Sequence, residues 1–531
     1  MPTLHWIGKE HVLNHHRDVP FKVLDHSYSY NGDTQHQEHT ASPSGGGNKI
    51  IHGDNLEALK ALLPEYEGKI TCIYIDPPYN TGNEGWIYND NVNATRIKKW
   101  LGQVVGKESE DLSRHDKWLC MMYPRLKLLH KLLAEDGFIF VSIDYNSDYL
   151  LRILMNEIFG GSNFRNVISV RRGIKNVQAQ FEDVSALSVG HEFIYLYSKR
   201  PETRLPKLSK QLENEKAGKW DTFWRGTDRP TMRYELFGNK PEKGQWRWEE
   251  GRAKAAANNY RIYQEVFAPN MTIDDYFLEH LQTTNEKIDF LRINEESVIQ
   301  YYVPPQSFKL LSDNWMDILL SGSVTTFDTE KNTLLLDRIV GWITGNSSNA
   351  LILDSFAGSG TTAHAVLNLN KQDGGNRKFI LIEMEEYAES ITAERVKRVI
   401  QGYGTTEGSG GAFDFYTIGA PMFDEDGNLN ESVGVERIRG YVWYTETKTP
   451  LGVDLGTGAD NAAFLGKHND TAYYFHYEAD GITTLSHMFL ATVRTKAEEY
   501  VIYADNCLLP QEALAARKII FKKIPRDITR F

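Results

Sequence analysis

Short runs of chain that are apolar at nearly every position, each followed by a stretch of helical periodicity, constrain this fold more than any other feature. After KIIH at 49–52 comes DNLEALKALL, with leucines every three or four residues, and then ITCIYI at 70–75. A helical stretch from Leu112 to Leu133 leads into the strand GFIFVSID at 137–144. SDYLLRILMNEIF at 147–159 reads as another helix and HEFIYLY at 191–197 as a further strand. The alternation lapses between about 200 and 320, where KWDTFWRG, RYELFG and GQWRWEE mix aromatics, arginines and glycines. It resumes with helical NTLLLDRIVGWI, the strand ALILD at 350–354, helical TTAHAVLNL, the strand KFILIE at 378–383 and a helix around 386–402. Strands that are apolar on both faces and alternate with helices belong in a parallel sheet covered on both sides. The expected fold is therefore α/β, a mostly parallel Rossmann-like sheet.

The 531 residues then fall into five expected segments. An N-terminal arm and linker (1–47) precedes a first half of the sheet domain (48–200), an insertion (201–320), a second half (321–415) and a C-terminal α+β domain (416–531). The arm holds seven of the sixteen histidines and ends in ASPSGGG, which predicts loose packing and a flexible linker. His11, His15 and His16 have no partner cysteines or spaced acidic ligands, so no metal site is expected. Cys72, Cys120 and Cys507 are too few and too far apart for a disulfide framework or a Cys-rich zinc site. No run approaches the roughly 18 apolar residues of a membrane span. The start, MPTLHWIGKEHVLNHH, has no signal-peptide pattern, and a cytosolic protein is expected.

The net charge of −12 is uneven, with +7 on residues 161–270 and −19 on the remainder. A basic stretch in an acidic protein is either the footprint of a nucleic-acid partner or a solvated face.

Asp76-Pro77-Pro78-Tyr79 stands at the carboxyl end of ITCIYI, where open α/β sheets bind ligands. Two prolines hold the backbone extended and without N–H donors, so the Pro77 carbonyl and the Asp76 carboxylate can face one way as two acceptors. Two acceptors hold both N–H bonds of an exocyclic amino group and turn its lone pair toward an electrophile. Tyr79 offers a stacking face for a planar base. A second motif, Asp354-Ser355-Phe356-Ala357-Gly358-Ser359-Gly360, also lies between an apolar strand and a helix. Glu383, 23 residues past Gly360, ends the next strand and can accept both hydroxyls of a ribose. The run Gly358-x-Gly360-x-x-Ala363 fits NAD as well as S-adenosylmethionine. A nucleoside-cofactor loop and an amino-holding loop at one rim of a sheet together describe methyl transfer from S-adenosylmethionine to an NH2 group on a base.

The stretches IIHGDNLEALKALLPEYEGKITCIYIDPPYNTGNEGWIYND and ILDSFAGSGTTAHAVLNLNKQDGGNRKFILIE resemble the β-class amino-methyltransferases of DNA, specifically the Mod subunits of type III restriction-modification systems. The motif order is permuted as in that class, with DPPY before FAGSG and a large insertion between. Asp at position 76 resembles the adenine-N6 enzymes more than the cytosine-N4 ones. The resemblance implies that Asp76, Pro77, Pro78 and Tyr79 hold a flipped adenine of double-stranded DNA. It also implies that Asp354, Phe356, Ala357, Gly358, Ser359, Gly360, Thr361 and Glu383 surround S-adenosylmethionine. Asp54 and Asn55 are then expected near the cofactor's adenine, and Lys331, in Thr329-Glu330-Lys331, near its methionine part. Asp144, where the family has an acidic pair, has no clear role.

No covalent intermediate is needed, and the base must leave the duplex. Trp86 and Tyr88 either stack in the gap or pack. The insertion is the candidate target-recognition domain, with Arg225, Arg229, Arg233 and Arg247 as candidate DNA contacts beside Trp246 and Trp248. The alternative is an aromatic core with solvated arginines. A non-catalytic DNA-reading subunit, a cytosine-N4 methyltransferase and an NAD-dependent oxidoreductase are the competing functions. The chain has no G-x-x-x-x-G-K-[ST] loop, so restriction activity would belong to another subunit. The resemblance implies a homodimer and a helicase-nuclease partner. The 416–531 segment, net −4, is expected to be a protein-contact or packing domain.

Overall fold

The computed structural model of the protein describes residues 3–6, 8–32, 43–79, 110–173, 187–320, 330–345, 349–451, 460–479 and 481–530, with backbone alone for 110–114. Trp86, Tyr88 and Thr329 lie outside the described residues. Two compact units form, one from the chain up to Pro206 and from Asp313 onward, the other from Lys207–Ser312.

The larger unit is built on β1 (Lys22–Tyr30), β2 (Lys49–His52), α1 (Asn55–Tyr66), β3 (Ile70–Ile75), α2 (Glu110–Leu132), β4 (Leu133–Ile143), α3 (Asp148–Phe159), β5 (Phe164–Arg171) and β6 (His191–Ser198). After the second unit follow β7 (Asn314–Leu319), α4 (Thr333–Thr344), β8 (Leu351–Asp354), α5 (Thr361–Asp373), β9 (Lys378–Glu383), α6 (Glu394–Gln401) and β10 (Phe413–Pro421). The ten strands make one sheet in the order β1-β10-β2-β9-β8-β3-β4-β6-β5-β7. Strand β6 is antiparallel to β4 and β5, and β1 to β10, while the other pairings are parallel.

Continuous apolarity along β3 follows from burial on both faces: Ile70, Cys72, Ile73 and Ile75 are fully buried. Ile139 and Val141 of β4 join the leucines of α1, α2 and α3 in one cluster. Phe140, which alternation turns to the opposite face, packs edge-on against Trp342 of α4. Helices thus cover both faces. From β3 the chain passes through α2 to β4 on one side, and from β8 through α5 to β9 on the other. The adjacent parallel strands β3 and β8 therefore flank the point where strand order reverses, and ligands bind beyond the carboxyl ends at such a point.

The N-terminal segment is not the loose arm its composition predicts. Residues 22–30 pair with β10, and Trp6, Val12 and Val19 enter the core shared with α1 and α2. Val23, Tyr28 and Tyr30 are buried strand positions, and the register shift between His26 and Tyr28 breaks the alternation that would have revealed them. His15 and His16 are buried in a short helix against α2. Ser44 and Gly45 of the expected linker donate their N–H groups to Asp414 at 3.0 and 2.8 Å. A Cβ at Gly45 would stand 2.3 Å from the Asp414 nitrogen, so only glycine fits there.

The second unit is shorter than the expected insertion because β7 pairs with β5, burying Trp315 and Ile318. Its core is aromatic: Phe223, Tyr234, Trp246, Leu291 and Ile299 in one cluster, and Tyr263, Phe277, Phe290 and Tyr302 in another. Likewise β10 straddles the expected boundary at 415, pairing Asp414–Thr417 with β2. Beyond it, helix Val435–Thr447 packs on a four-stranded sheet through Ile438, Tyr441, Trp443, Phe475 and Tyr503. Among the described residues no helix is long and apolar enough to cross a membrane.

Candidate active site

At the carboxyl ends of β3 and β8 lies a cavity lined by Tyr74, Asp76, Lys331, Leu336, Asp354, Phe356, Ala357, Gly358, Ser359, Thr361, Thr362, Glu383 and Tyr387. The two sequence motifs thus meet at one place. The Tyr79 hydroxyl donates to Asp76 Oδ1 at 2.5 Å. Lys331 Nζ lies 2.6 Å from that hydroxyl and 3.1 Å from Asp76 Oδ1. Burial and the Asp76 carboxylate hold the Tyr79 hydroxyl well above its usual value, so the phenol stays neutral. The Trp118 indole donates to the Pro78 carbonyl at 2.7 Å, and Ser147 Oγ to the Tyr79 carbonyl at 3.3 Å. Both fix the backbone around Pro77.

In the glycine turn, Gly358 and Gly360 take φ values of 51° and 80°, a region that disfavours side chains. A Cβ at Gly360 would press on the Thr392 carbonyl at 3.1 Å. Gly360 therefore shapes the loop without lining the cavity, and Thr392 Oγ1 donates to the Gly358 carbonyl at 2.5 Å. Asp354 accepts from the Phe356 N–H at 3.1 Å and from Thr362 Oγ1 at 2.5 Å. Burial pushes its carboxyl up to about 7. Glu383 accepts the N–H groups of Gly358, Met384 and Glu385 at 2.7, 3.0 and 3.1 Å. Burial outweighs these bonds and pushes it, too, up to about 7.

Asp54 and Asn55 are held in structural bonds outside the cavity lining. Asp54 caps α1, accepting the N–H groups of Leu56 and Glu57 at 2.9 and 3.1 Å. Asn55, buried, donates to the Ser355 carbonyl at 3.2 Å and accepts from Arg125. Asn55 therefore ties α1 to the strand-turn of the second motif. Asp144 closes its own turn through the N–H of Asn146 at 3.0 Å.

Arg225 and Arg229 of the second unit are exposed. Arg233 donates to the Gly244 carbonyl at 2.9 Å and pairs with Asp228, and Arg247 donates to the Thr222 carbonyl at 2.9 Å. Trp246, read as a candidate surface aromatic, is buried and donates to the Tyr234 carbonyl at 2.9 Å.

Three site residues escaped the sequence reading. Arg395 of α6 forms an ion pair with Glu330 at 3.0 Å, both side chains 2% exposed. Its guanidinium also donates to Ser359 Oγ at 2.8 Å and Thr361 Oγ1 at 2.9 Å, pinning the end of the glycine turn. Glu192 on β6 approaches Lys331 at 3.7 Å. Tyr387 completes the wall beside Glu383. The usable signal for Glu192 was a carboxylate inside the apolar run HEFIYLY, since a buried charge needs a partner. Replacing Arg395 by Leu strands the Glu330 charge, and breaking such a pair costs about 3–5 kcal/mol. A melting temperature several degrees lower is expected, and an unchanged one contradicts this role.

The sequence model of the DNA methylase family with N6 and N4 amino targets matches residues 70–394. The Mod subunit of the type III restriction-modification enzyme EcoPI, from Escherichia phage P1, is 29% identical over 475 residues, 78% of this chain and 71% of that protein. The StyLTI Mod subunit of Salmonella typhimurium is 31% identical over 68% of this chain, which spans 55% of its length. The type II methyltransferase M.KpnI of Klebsiella pneumoniae is 30% identical over 63% of this chain and 80% of its own. With both motifs at one rim of the sheet and a family match running through both, this chain belongs to the DNA methylase family.

Proposed function

We propose that this protein methylates the N6 amino group of adenine at specific sites in duplex DNA, with S-adenosylmethionine as donor. The observation that carries the reading is the convergence of Asp76, Tyr79 and Lys331 with the glycine turn and Glu383 around one cavity. Three carboxyl groups, Asp76, Asp354 and Glu383, line it against one ammonium, Lys331. Such a lining suits a cationic sulfonium and opposes the diphosphate of NAD. Asn55 supports the strand end that leads into the glycine turn in this reading, and Asp54 caps the helix that carries it.

When bound, the cofactor supplies an electrophilic methyl group. The chain's own residues do the rest. Asp76 and the Pro77 carbonyl accept the two N6–H bonds, which favours rehybridisation of the nitrogen and directs its lone pair into the cavity. Tyr79 presents its ring to the extruded base, offsetting the few kcal/mol of unstacking. Glu383 accepts ribose hydroxyls, and Lys331 faces the methionine carboxylate. Asp at position 76 favours adenine over cytosine. Arg225 and Arg229, exposed on the second unit, are the proposed DNA contacts. Similarity to Mod subunits supports a place in a cytoplasmic restriction-modification system, as a homodimer with a helicase-nuclease partner.

Incubating the purified protein with unmethylated genomic DNA and isotope-labelled S-adenosylmethionine, followed by mass spectrometry of the nucleosides, tests the reaction and the base. Label in N6-methyladenosine is the expected result. Label in N4-methylcytosine overturns the base assignment, and label in neither overturns the activity.

A further inference from the structure

In the geometry described, the Lys331 ammonium sits where the target amino group is to bind. It is 3.1 Å from Asp76 Oδ1 and 2.6 Å from Tyr79 Oη, and 5.0 Å from the centre of the Tyr79 ring. Both the cation and the Tyr79 hydroxyl are on Asp76 Oδ1, so that oxygen is closed to a base while they hold it. The ammonium cannot simply leave, because it is a charge on a side chain only 12% exposed and needs a carboxylate partner. Glu192 supplies the place for it to go. Its side chain is 8% exposed and its Oε2 points at Lys331 Nζ from 3.7 Å, beyond hydrogen-bond range. Among the described residues that oxygen accepts no hydrogen bond, although it is shielded from solvent. Its other oxygen lies 3.4 Å from Arg172 Nε, which anchors the carboxylate on β6.

We propose that Glu192 is a positioning residue for Lys331: it receives the ammonium when the base enters, so that Asp76 Oδ1 is released to the adenine amino group while the ammonium keeps a carboxylate partner. The step is a short shift of one side chain from Asp76 Oδ1 toward Glu192 Oε2 on the protein side, while the ammonium still faces the methionine carboxylate of the cofactor. It rests on the methyltransferase reading above and adds a residue to it. Lys331 then alternates between a state that closes the base site and a state that opens it.

Three proteins test this, the native chain, Glu192→Gln and Glu192→Asp, each assayed for kcat and KM on unmethylated genomic DNA. Calorimetric affinity for sinefungin, a non-reactive analogue of the cofactor, and melting temperature are measured alongside. Glu192→Gln keeps the shape but not the charge, so kcat is expected to fall about tenfold or more, because Lys331 stays on Asp76. The KM for DNA and the sinefungin affinity should stay within about twofold. Glu192→Asp, which keeps the charge, should recover most of the rate. An unchanged kcat in Glu192→Gln overturns the proposal, as does a loss confined to melting temperature and sinefungin affinity, which marks a structural role. If the native protein itself transfers no methyl group, the methyltransferase reading fails rather than this refinement alone.

Discussion

Replacing Asp76 with Ala is expected to lower kcat by about a thousandfold while the cavity still binds the cofactor, because the lost group acts on the base and its transition state. Asp76 lies at the end of β3, and its Oδ1 is the acceptor around which Tyr79 and Lys331 gather. Without it one N6–H bond is unheld, and the nitrogen lone pair stays delocalised into the ring. Sinefungin affinity is expected to change by no more than about threefold, since in the proposed function the glycine turn and Glu383 hold the nucleoside half. Single-turnover methyl transfer and calorimetry on the variant read the two quantities separately. A variant that loses both in equal measure would show that Asp76 supports the cavity rather than the reaction.

Glu383→Gln is the complementary case. Hydrogen bonds to a charged group contribute about 1.5–3 kcal/mol each, so losing the carboxylate proposed to accept two ribose hydroxyls should weaken cofactor binding by about 10²- to 10³-fold or more. The same substitution has a signature in stability without cofactor. The Glu383 carboxyl is pushed up to about 7 by burial, above the roughly 4.3 of an unfolded chain. A raised folded value means that the native state binds the proton more tightly. Its stabilisation is complete below about pH 4.3 and is lost as pH rises through about 7. Glutamine does not titrate. The melting temperature of Glu383→Gln relative to the native protein should therefore rise between pH 5 and pH 8, by the equivalent of on the order of 3 kcal/mol. A pH-independent difference would place the Glu383 carboxylate in water.

Asp76 and Asp354 were visible in the sequence because each closes an uninterrupted apolar strand, ITCIYI before Asp76 and ALIL before Asp354. Adjacency of those strands follows from apolarity on both faces and from the reversal of strand order between β3 and β8. What stayed hidden was partnership across sequence distance. Arg395 lies among the charged residues of ERVKRVIQ, and only Glu330, placed against it by the fold, reveals it as buried. Asp54, expected near the cofactor, is also the cap of α1, a use that any Asp before a leucine-periodic helix invites. Composition misled at the N-terminus, where His26 and the polar residues beside it masked a bulged strand that pairs with β10. It misled again at Trp246, whose arginine-rich neighbourhood suggested a surface while its ring stacks on Phe223 inside a small aromatic core. The boundary at 320 fell just past β7, an edge strand with few buried positions, and the boundary at 415 fell inside β10.

The most direct measurement is modification-sensitive single-molecule sequencing of DNA from methylase-free cells expressing this protein, beside cells expressing Asp76→Ala. The account predicts N6-methyladenine at one short motif with the native protein and none with the variant. Equal marking in both, or no marking in either while both proteins are soluble and abundant, would contradict it.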